Sequence, residues 1–192
     1  MQKIINNKQM KEKFDCERQR KKRPLMILYN TPSDLPEAVL IETVYSQNFE
    51  DQMSKEDFEK SFVPKFKTGP RDKPTVHRVV EVEPKLRSQL VAKRRLFIQF
   101  ESIAVKDYLT VPRCAKCNDL GHVAKYCSKT DANCCHCGQL NHKRLECPNR
   151  NKPPVCIPCA VRKRTCKASN QKECATYQLL LKRAIAKTDY GE

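Results

Sequence analysis

One spacing of cysteine and histidine occurs twice, almost back to back, in residues 111–149. Each copy has the pattern Cys-x-x-Cys-x-x-x-x-His-x-x-x-x-Cys. Structural zinc is bound tetrahedrally by four ligands of these two kinds. A module this short has no room for a hydrophobic core, so the metal must supply its folding free energy, about 10–16 kcal/mol in zinc-finger peptides. The predicted ligands are Cys114, Cys117, His122 and Cys127, then Cys134, Cys137, His142 and Cys147.

The alternative for a chain with 12 cysteines is a disulfide scaffold, which is typical of secreted proteins. A secreted chain carries a signal peptide with an apolar core, whereas residues 1–23 are polar and charged. Apart from Cys16, which we expect to be a free thiol, the cysteines lie between Cys114 and Cys174. In a reducing compartment such clusters are metal sites. We therefore expect an intracellular protein with two zinc ions.

The doublet Cys134-Cys135 leaves a choice of ligand in the second copy. Cys134 fits the spacing of the first copy and Cys135 does not, so Cys134 is the predicted ligand. His136 lies inside the Cys-x-x-Cys turn, which makes it a poor candidate.

We call the two copies zinc knuckles. A third array, made of cysteines and without a histidine, follows them. Four thiolates make a chemically sound zinc site, but the last two gaps in this array are irregular, so unbound cysteines remain the alternative. Helical spacing of Leu180, Leu181 and Ile185 then predicts a helix over residues 177–186, which caps the array or binds a partner. The candidate ligands of a third zinc ion are Cys156, Cys159, Cys166 and Cys174.

Residues 24–110 have the pattern of one compact α+β domain. Apolar runs predict strands over 24–29, 62–67, 75–82 and 96–100. A first helix is predicted to begin after Asp34, its N-cap, and a second helix to begin after Ser54. A third helix is predicted over 83–93, with Leu86, Leu90 and Val91 on one face. This βαββαβ order is the ferredoxin-like plan of RNA-recognition motifs. Its usual aromatic signature is missing, and Phe97 either stacks on a base or packs in the core.

The net charge of +16 favours a polyanionic partner. Residues 1–23 are a predicted flexible tail that ends in the basic run 18–23, a nuclear import signal, a nucleic-acid patch or a solvated linker. We expect a soluble protein of the nucleus, the cytoplasm or both, because no apolar run has the length of a membrane-spanning helix.

Basic and apolar residues beside the predicted ligands are candidates for contact with single-stranded RNA or DNA. Lysine and arginine neutralise phosphates, while apolar side chains cover bases. Ala115 and Cys135 occupy the positions where many retroviral knuckles have an aromatic residue, which predicts weak sequence selectivity. The candidates are Lys116, Val123, Lys125, Tyr126, Leu140, Lys143, Arg144 and Arg150, with Leu145 as a further apolar face.

Several segments together resemble a known family. They are residues 66–73, Asp107-Tyr108, residues 111–114, the adjacent knuckles, the Pro-Pro-Val-Cys-x-x-Cys array, and residues 172–177 with 188–191. In this combination the chain resembles, over residues 24–192, the gag-like first-frame protein of arthropod non-LTR retrotransposons. The resemblance implies binding of element RNA, assembly of a ribonucleoprotein, often nuclear or telomeric targeting, and the metal role of the eight knuckle ligands.

The chain departs from that family in two ways. The family's third array usually has a histidine near Cys166, which is absent here. Family members also have long N-terminal regions, so we expect this chain to be a truncated copy or a C-terminal part.

Two functions of different kinds follow from these patterns. The leading hypothesis is a zinc-dependent protein that packages single-stranded nucleic acid. The alternative is a protein-interaction or assembly module with structural zinc, in which residues 24–110 self-associate, and this form could be a domesticated host protein. An enzyme is not expected, because catalytic zinc keeps an open coordination position and each knuckle supplies four ligands.

Overall fold

The computed structural model describes residues 20–69, 72–166 and 173–191. Most of the predicted tail, Cys16 and Lys172 lie outside these residues. The strands are β1 Leu25–Pro32, β2 Phe62–Thr68, β3 Thr75–Val82, β4 Arg95–Ile98 and β5 Glu101–Asp107. The helices are α1 Glu37–Asn48, α2 Lys55–Ser61, α3 Pro84–Lys93, α4 Ile157–Val161 and α5 Ala175–Ala186, with short 3-10 turns at Ala124–Tyr126 and Arg144–Glu146.

The five strands form one antiparallel sheet in the order β2-β3-β1-β5-β4. Alternate residues of the strands, such as Met26 and Val80, point to one face and form the hydrophobic core with α1, α2 and α3. Aromatic rings extend this core, since Phe58 stacks between Phe49 and Phe62. We call residues 25–107 the sheet domain.

The fifth strand corrects the prediction of four strands. The predicted last strand, 96–100, ends at Ile98, because Gln99 (φ 56°) and Phe100 form a two-residue turn. The chain then returns as β5, which pairs with β1 and leaves β4 at the edge. Alternate residues of β5, Ile103 and Val105, are buried. The second half of the hairpin therefore completes the core.

The exposed edge of β4 is closed by a side chain of α1. Asn48 accepts a hydrogen bond from the backbone N–H of Phe97 and donates one to its carbonyl, both at 2.8 Å. This pairing occupies backbone groups that would otherwise template another strand. The Phe97 ring is 59% exposed, so the expectation that it packs in the core is wrong.

Of the predicted helix caps and buried faces, some are confirmed and others are wrong. Ser54 caps α2 as expected, because its hydroxyl accepts from the backbone N–H of Asp57 at 3.2 Å. The predicted cap Asp34 is wrong: α1 begins after Pro36, without a side-chain cap. Val91 is exposed, whereas Leu86 and Leu90 are buried. The buried stripe of α3 is therefore narrower than predicted.

The end of the described chain returns to the sheet domain. The backbone N–H of Lys22 donates to the carbonyl of Lys187, and that of Asp189 donates to the carbonyl of Lys22, both at 2.8 Å. The guanidinium of Arg87 lies 4.5 Å from the ring centroid of Tyr190 and bonds both carboxylate oxygens of Asp107 at 2.7 Å. These contacts hold the segment after α5 against Lys22 and the sheet domain.

None of the helices in the described ranges combines the length and the apolar character needed to cross a membrane.

Replacing Phe58 by alanine should lower the free energy of unfolding of the sheet domain by about 3–5 kcal/mol. The side chain is fully buried, and its loss would leave a cavity between two stacked rings. Chemical denaturation followed by circular dichroism measures this change. Phe97→Ala is the matched control and should change the free energy by less than about 0.5 kcal/mol. Equal effects of the two substitutions would contradict this account of the core.

Candidate metal centres

Three groups of ligand atoms each lie within 4.8 Å of one another. All the described cysteines are free, so no disulfide competes for these sulfurs. The first and second groups each combine three sulfurs with one imidazole nitrogen, and the third has four sulfurs. The first group is Cys114, Cys117, His122 and Cys127; the second is Cys134, Cys137, His142 and Cys147; the third is Cys156, Cys159, Cys166 and Cys174.

A tight turn builds the first group. The carbonyl of Cys114 accepts from the backbone N–H of Asn118 at 2.9 Å, and the N–H of Cys114 donates to the carbonyl of Asp119 at 2.8 Å. Asn118 has a φ of 58°, a left-handed conformation that asparagine tolerates. This turn brings the sulfur of Cys117 to 3.4 Å from Nε2 of His122.

The second group repeats this geometry. The N–H of Gly138, with a φ of 80°, donates to the carbonyl of Cys134 at 2.8 Å. The sulfur of Cys137 lies 3.2 Å from Nε2 of His142. Cys134 belongs to this group, whereas Cys135 is exposed and lies outside it.

The third group comes together despite its irregular spacing. Cys156 precedes α4, Cys159 lies within it, and Cys174 precedes α5. The sulfur of Cys174 is 3.5 Å from that of Cys156 and 3.4 Å from that of Cys159. Ligands on a tetrahedral zinc ion with bonds of about 2.3 Å lie about 3.8 Å apart. The donor chemistry and the spacing of the sulfurs thus both fit a zinc ion.

Hydrogen-bond donors favour one thiolate in the first group. Burial raises the pKa of Cys114, but hydrogen bonds from the backbone N–H groups of Cys117 and Lys116, each 3.4 Å from its sulfur, together with those of the Cys117 and Cys127 side chains bring the pKa to about 6. Burial raises the pKa of the neighbouring Cys117. Hydrogen bonding in the first group therefore favours the thiolate form of Cys114.

The other two groups show the same balance. Burial raises the pKa of Cys134, but hydrogen bonds from the backbone N–H groups of Cys137 and His136 and from the Cys137 and Cys147 side chains bring it to about 6. Around Cys159 the hydroxyl of Thr176, 3.2 Å from the sulfur, contributes to a pKa of about 6 against the opposing effect of burial. Anionic sulfur is the form that binds a metal cation.

The first two groups are joined through Asn118 and Asn133. The side chain of Asn118 donates to the carbonyl of Asn133 at 2.7 Å, and the backbone N–H of Asn133 donates to the carbonyl of Lys116 at 2.9 Å. Because these bonds cross between neighbouring groups, the two groups are held in a fixed relation.

His136 joins the second group to the segment before the third. The imidazole is buried, and its Nε2 lies 3.0 Å from the carbonyls of both Asn149 and Lys152. Its own carbonyl accepts from the backbone N–H of Val155 at 2.8 Å. Sequence reasoning set His136 aside as a ligand and did not find this linking role. An ion pair of Arg162 with Asp119, at 2.6 Å, connects the third group to the first.

The candidate nucleic-acid contacts surround the first two groups. The 3-10 turns each carry a basic side chain beside a large apolar one, Lys125 with Tyr126 and Arg144 with Leu145. The two apolar residues are exposed to solvent, Tyr126 to 72% and Leu145 to 79%. Nζ of Lys125 lies 5.6 Å from the ring centroid of Tyr126. Val123, Leu140, Lys143 and Arg150 are also exposed, and Lys116 is half-buried.

Comparison with known proteins gives one informative similarity. The chain is 24% identical over 161 residues to the uncharacterized 50 kDa protein in type I retrotransposable element R1DM of Drosophila melanogaster. The match covers 83% of this chain and 33% of that protein, so the chain spans about a third of its length. No protein-family model and no solved structure matches the chain. The similarity supports a retrotransposon-derived origin, while the gag-like character stays a prediction.

The cysteine doublet supplies a test of the second group. Cys134→Ser should lower the zinc content by one ion per chain, because the site loses one of its four ligands. Cys135→Ser is the matched control and should leave the zinc content unchanged. Native mass spectrometry of the zinc-loaded proteins counts the ions. An unchanged zinc count in the Cys134 variant, or a loss in the Cys135 variant, would contradict this ligand set.

Proposed function

We propose that this chain is a zinc-dependent, gag-like protein that binds single-stranded nucleic acid and packages retrotransposon RNA into a ribonucleoprotein. The observation that supports it most is the joining of the first two ligand groups, each of which carries an exposed basic-apolar pair. The similarity to a retrotransposon protein supplies the RNA that such a surface would meet. The chain spans a third of that relative's length, so its part in packaging is proposed from its own ligand groups and exposed side chains.

Zinc is the metal we propose for all three groups, with the first two as CCHC knuckles. Sulfur and imidazole ligands in fours are typical of structural zinc. When bound, the ion supplies the cross-link that orders each module. The full set of four protein ligands leaves no open position for a substrate, so we propose no enzymatic activity.

Binding would combine charge and stacking. Lys125, Lys143, Arg144 and Arg150 would neutralise phosphates, an effect that depends on salt but not on sequence. The ring of Tyr126 would stack on a base, an interaction worth about 1–3 kcal/mol. Val123, Leu140 and Leu145 would cover neighbouring bases. These residues would contact the flat faces of bases, which all bases share, and not the base edges that differ between sequences. We therefore expect weak selectivity among RNA sequences and between RNA and single-stranded DNA.

The sheet domain would serve as a scaffold of ferredoxin-like, RRM-like type. Strands β2, β3, β1 and β5 follow the neighbour order of that plan, with β4 added at the edge. The basic residues Arg20–Arg23 continue a run that could serve in nuclear import.

An assembly module is the second candidate function. The β4–β5 hairpin favours it, because Phe97 is largely exposed and Phe100 is fully exposed. Exposed aromatic residues of this kind are typical of protein-interaction surfaces. A concentration-dependent dimer of RNA-free protein, absent in Phe100→Ser, would favour this function.

The double substitution Lys143→Gln with Arg144→Gln should weaken binding of single-stranded RNA. It should also reduce the slope of log affinity against log salt by about 0.7 for each phosphate that is no longer neutralised. Zinc content should not change, because neither residue is a ligand. Fluorescence anisotropy at several salt concentrations measures both the affinity and the slope.

The matched control removes the same charge from the sheet domain, with Lys60→Gln and Lys85→Gln. Both lysines are exposed. If this control reduces the affinity and the slope as much as the first double variant, the binding is diffuse attraction to net charge, and the proposed interface is wrong.

A further inference from the structure

A cavity of about 540 Å³ lies where α5 meets the sheet domain and the first ligand group. Its volume falls in the range of about 300–1,000 Å³ that is typical of small-molecule sites. One wall comes from Tyr108 and the segment that follows it, and another comes from Leu181 and neighbouring residues of α5. Gly121 opens onto it from the first group, between Leu120 and the ligand His122.

The charges around the cavity are of one sign. Lys22, Arg183 and Lys187 line it, and none of the described lining residues is Asp or Glu. Among the described residues these three cations form no ion pair. Arg23 also lines the cavity, but its guanidinium pairs with Glu83 at 2.8 Å. An anionic group would therefore meet three cations that are not engaged in an ion pair within the part of the chain that the structure describes.

The walls are apolar and aromatic. Leu180, Leu181 and Val111 supply aliphatic surface, and Tyr108 and Tyr190 supply rings. Neighbours hold both rings in place: Phe66 packs against Tyr108 at a centroid distance of 5.9 Å, and Arg87 covers one face of Tyr190. A ligand with a flat, apolar part and an anionic end would fit this cavity, because the flat part would lie against the walls and the anionic end would meet the cations.

The cavity also adjoins the first ligand group directly. The backbone N–H of Gly121 donates to the carbonyl of Pro112 at 2.8 Å, and both residues line the cavity. Gly121 has a φ of 100°, and nothing lies within 4 Å of where its Cβ would be. The backbone beside a metal ligand thus forms an open part of the cavity wall.

We propose that this cavity is a subsite for one nucleotide of a single strand held by the first group. The base lies against the tyrosine and leucine walls, and its 5′-phosphate meets Lys22, Arg183 and Lys187. The inference rests on the proposed function, since it extends the strand's path from the first group. It gives the C-terminal helix α5 a part in binding, beyond covering the third group.

The test is a titration of the full, zinc-loaded, ¹⁵N-labelled chain with cytidine and adenosine 5′-monophosphates, inorganic phosphate and an eight-nucleotide RNA. Nucleotide and RNA should shift the amide signals of Gly121, Thr110 and Leu181. Arg183→Gln should weaken nucleotide binding about tenfold, the effect of removing one charge-assisted hydrogen bond. Lys182→Gln is the matched control, because this neighbouring exposed residue does not line the cavity, and it should leave nucleotide binding unchanged.

A second variant tests whether nucleotide binding needs the open volume of the cavity. Ala184 lines the cavity from α5, and Ala184→Leu would fill part of it while keeping a strong helix former. Loss of nucleotide shifts with an intact zinc content and helix signal would support the subsite. Unchanged binding in both Arg183→Gln and Ala184→Leu would overturn it.

The outcomes separate this proposal from the function on which it rests. If the RNA binds only with zinc and leaves the cavity amides unshifted, the subsite is wrong and the proposed function stands. If the mononucleotides shift those amides but the RNA does not bind through the first two groups, the cavity is a site for a free nucleotide, and both the strand path and the proposed function are wrong. Equal shifts with inorganic phosphate would show anion adhesion without a nucleotide site.

Discussion

Closure of four ligands around one point is the constraint on which residues 111–166 and 173–174 depend. The buried side chains of this region are largely the cysteines themselves, with a few apolar residues such as Leu120 and Ile157. So little apolar surface cannot offset the entropy of ordering the chain. A bound metal would supply that free energy, and the turns at Asn118 and Gly138 prepare the backbone for it. Without this closure, the bonds of Asn133, His136 and Arg162 that join the groups would lose their geometry.

The sheet domain depends on a different interaction, the burial of an apolar face under three helices. The two parts meet near α5, which begins beside Cys174 of the third group and is followed by residues that contact Lys22 and Arg87. The helix α5 is therefore a route by which a change at the third group would reach the sheet domain. The proposed nucleotide subsite lies at this junction, so it would need both parts to be folded.

Local patterns were the part of the structure that the sequence predicts well. The ligand groups depend on spacings of a few residues, and β3 and α2 follow from alternation and a Ser54 cap. The turn at Gln99 and Phe100 was missed because it lacks the Gly or Asn that usually marks a two-residue hairpin. Without that turn, no pattern in the sequence indicated that a separate strand β5 begins after Phe100. The side of the sheet on which Phe97 lies could not be predicted either. The roles of His136 and of the cavity beside Gly121 depend on interactions between distant segments, which no local pattern contains.

The most direct test of the account is a titration of labelled single-stranded RNA with zinc-loaded protein, repeated after chelation and again after zinc is restored. We expect chelation to abolish most of the binding and restored zinc to recover it, because the metal orders the surface that binds the strand. Circular dichroism in the same samples should show that the sheet domain stays folded. Binding that weakens with salt but does not change on chelation would contradict the account, because basic charge alone would then hold the RNA.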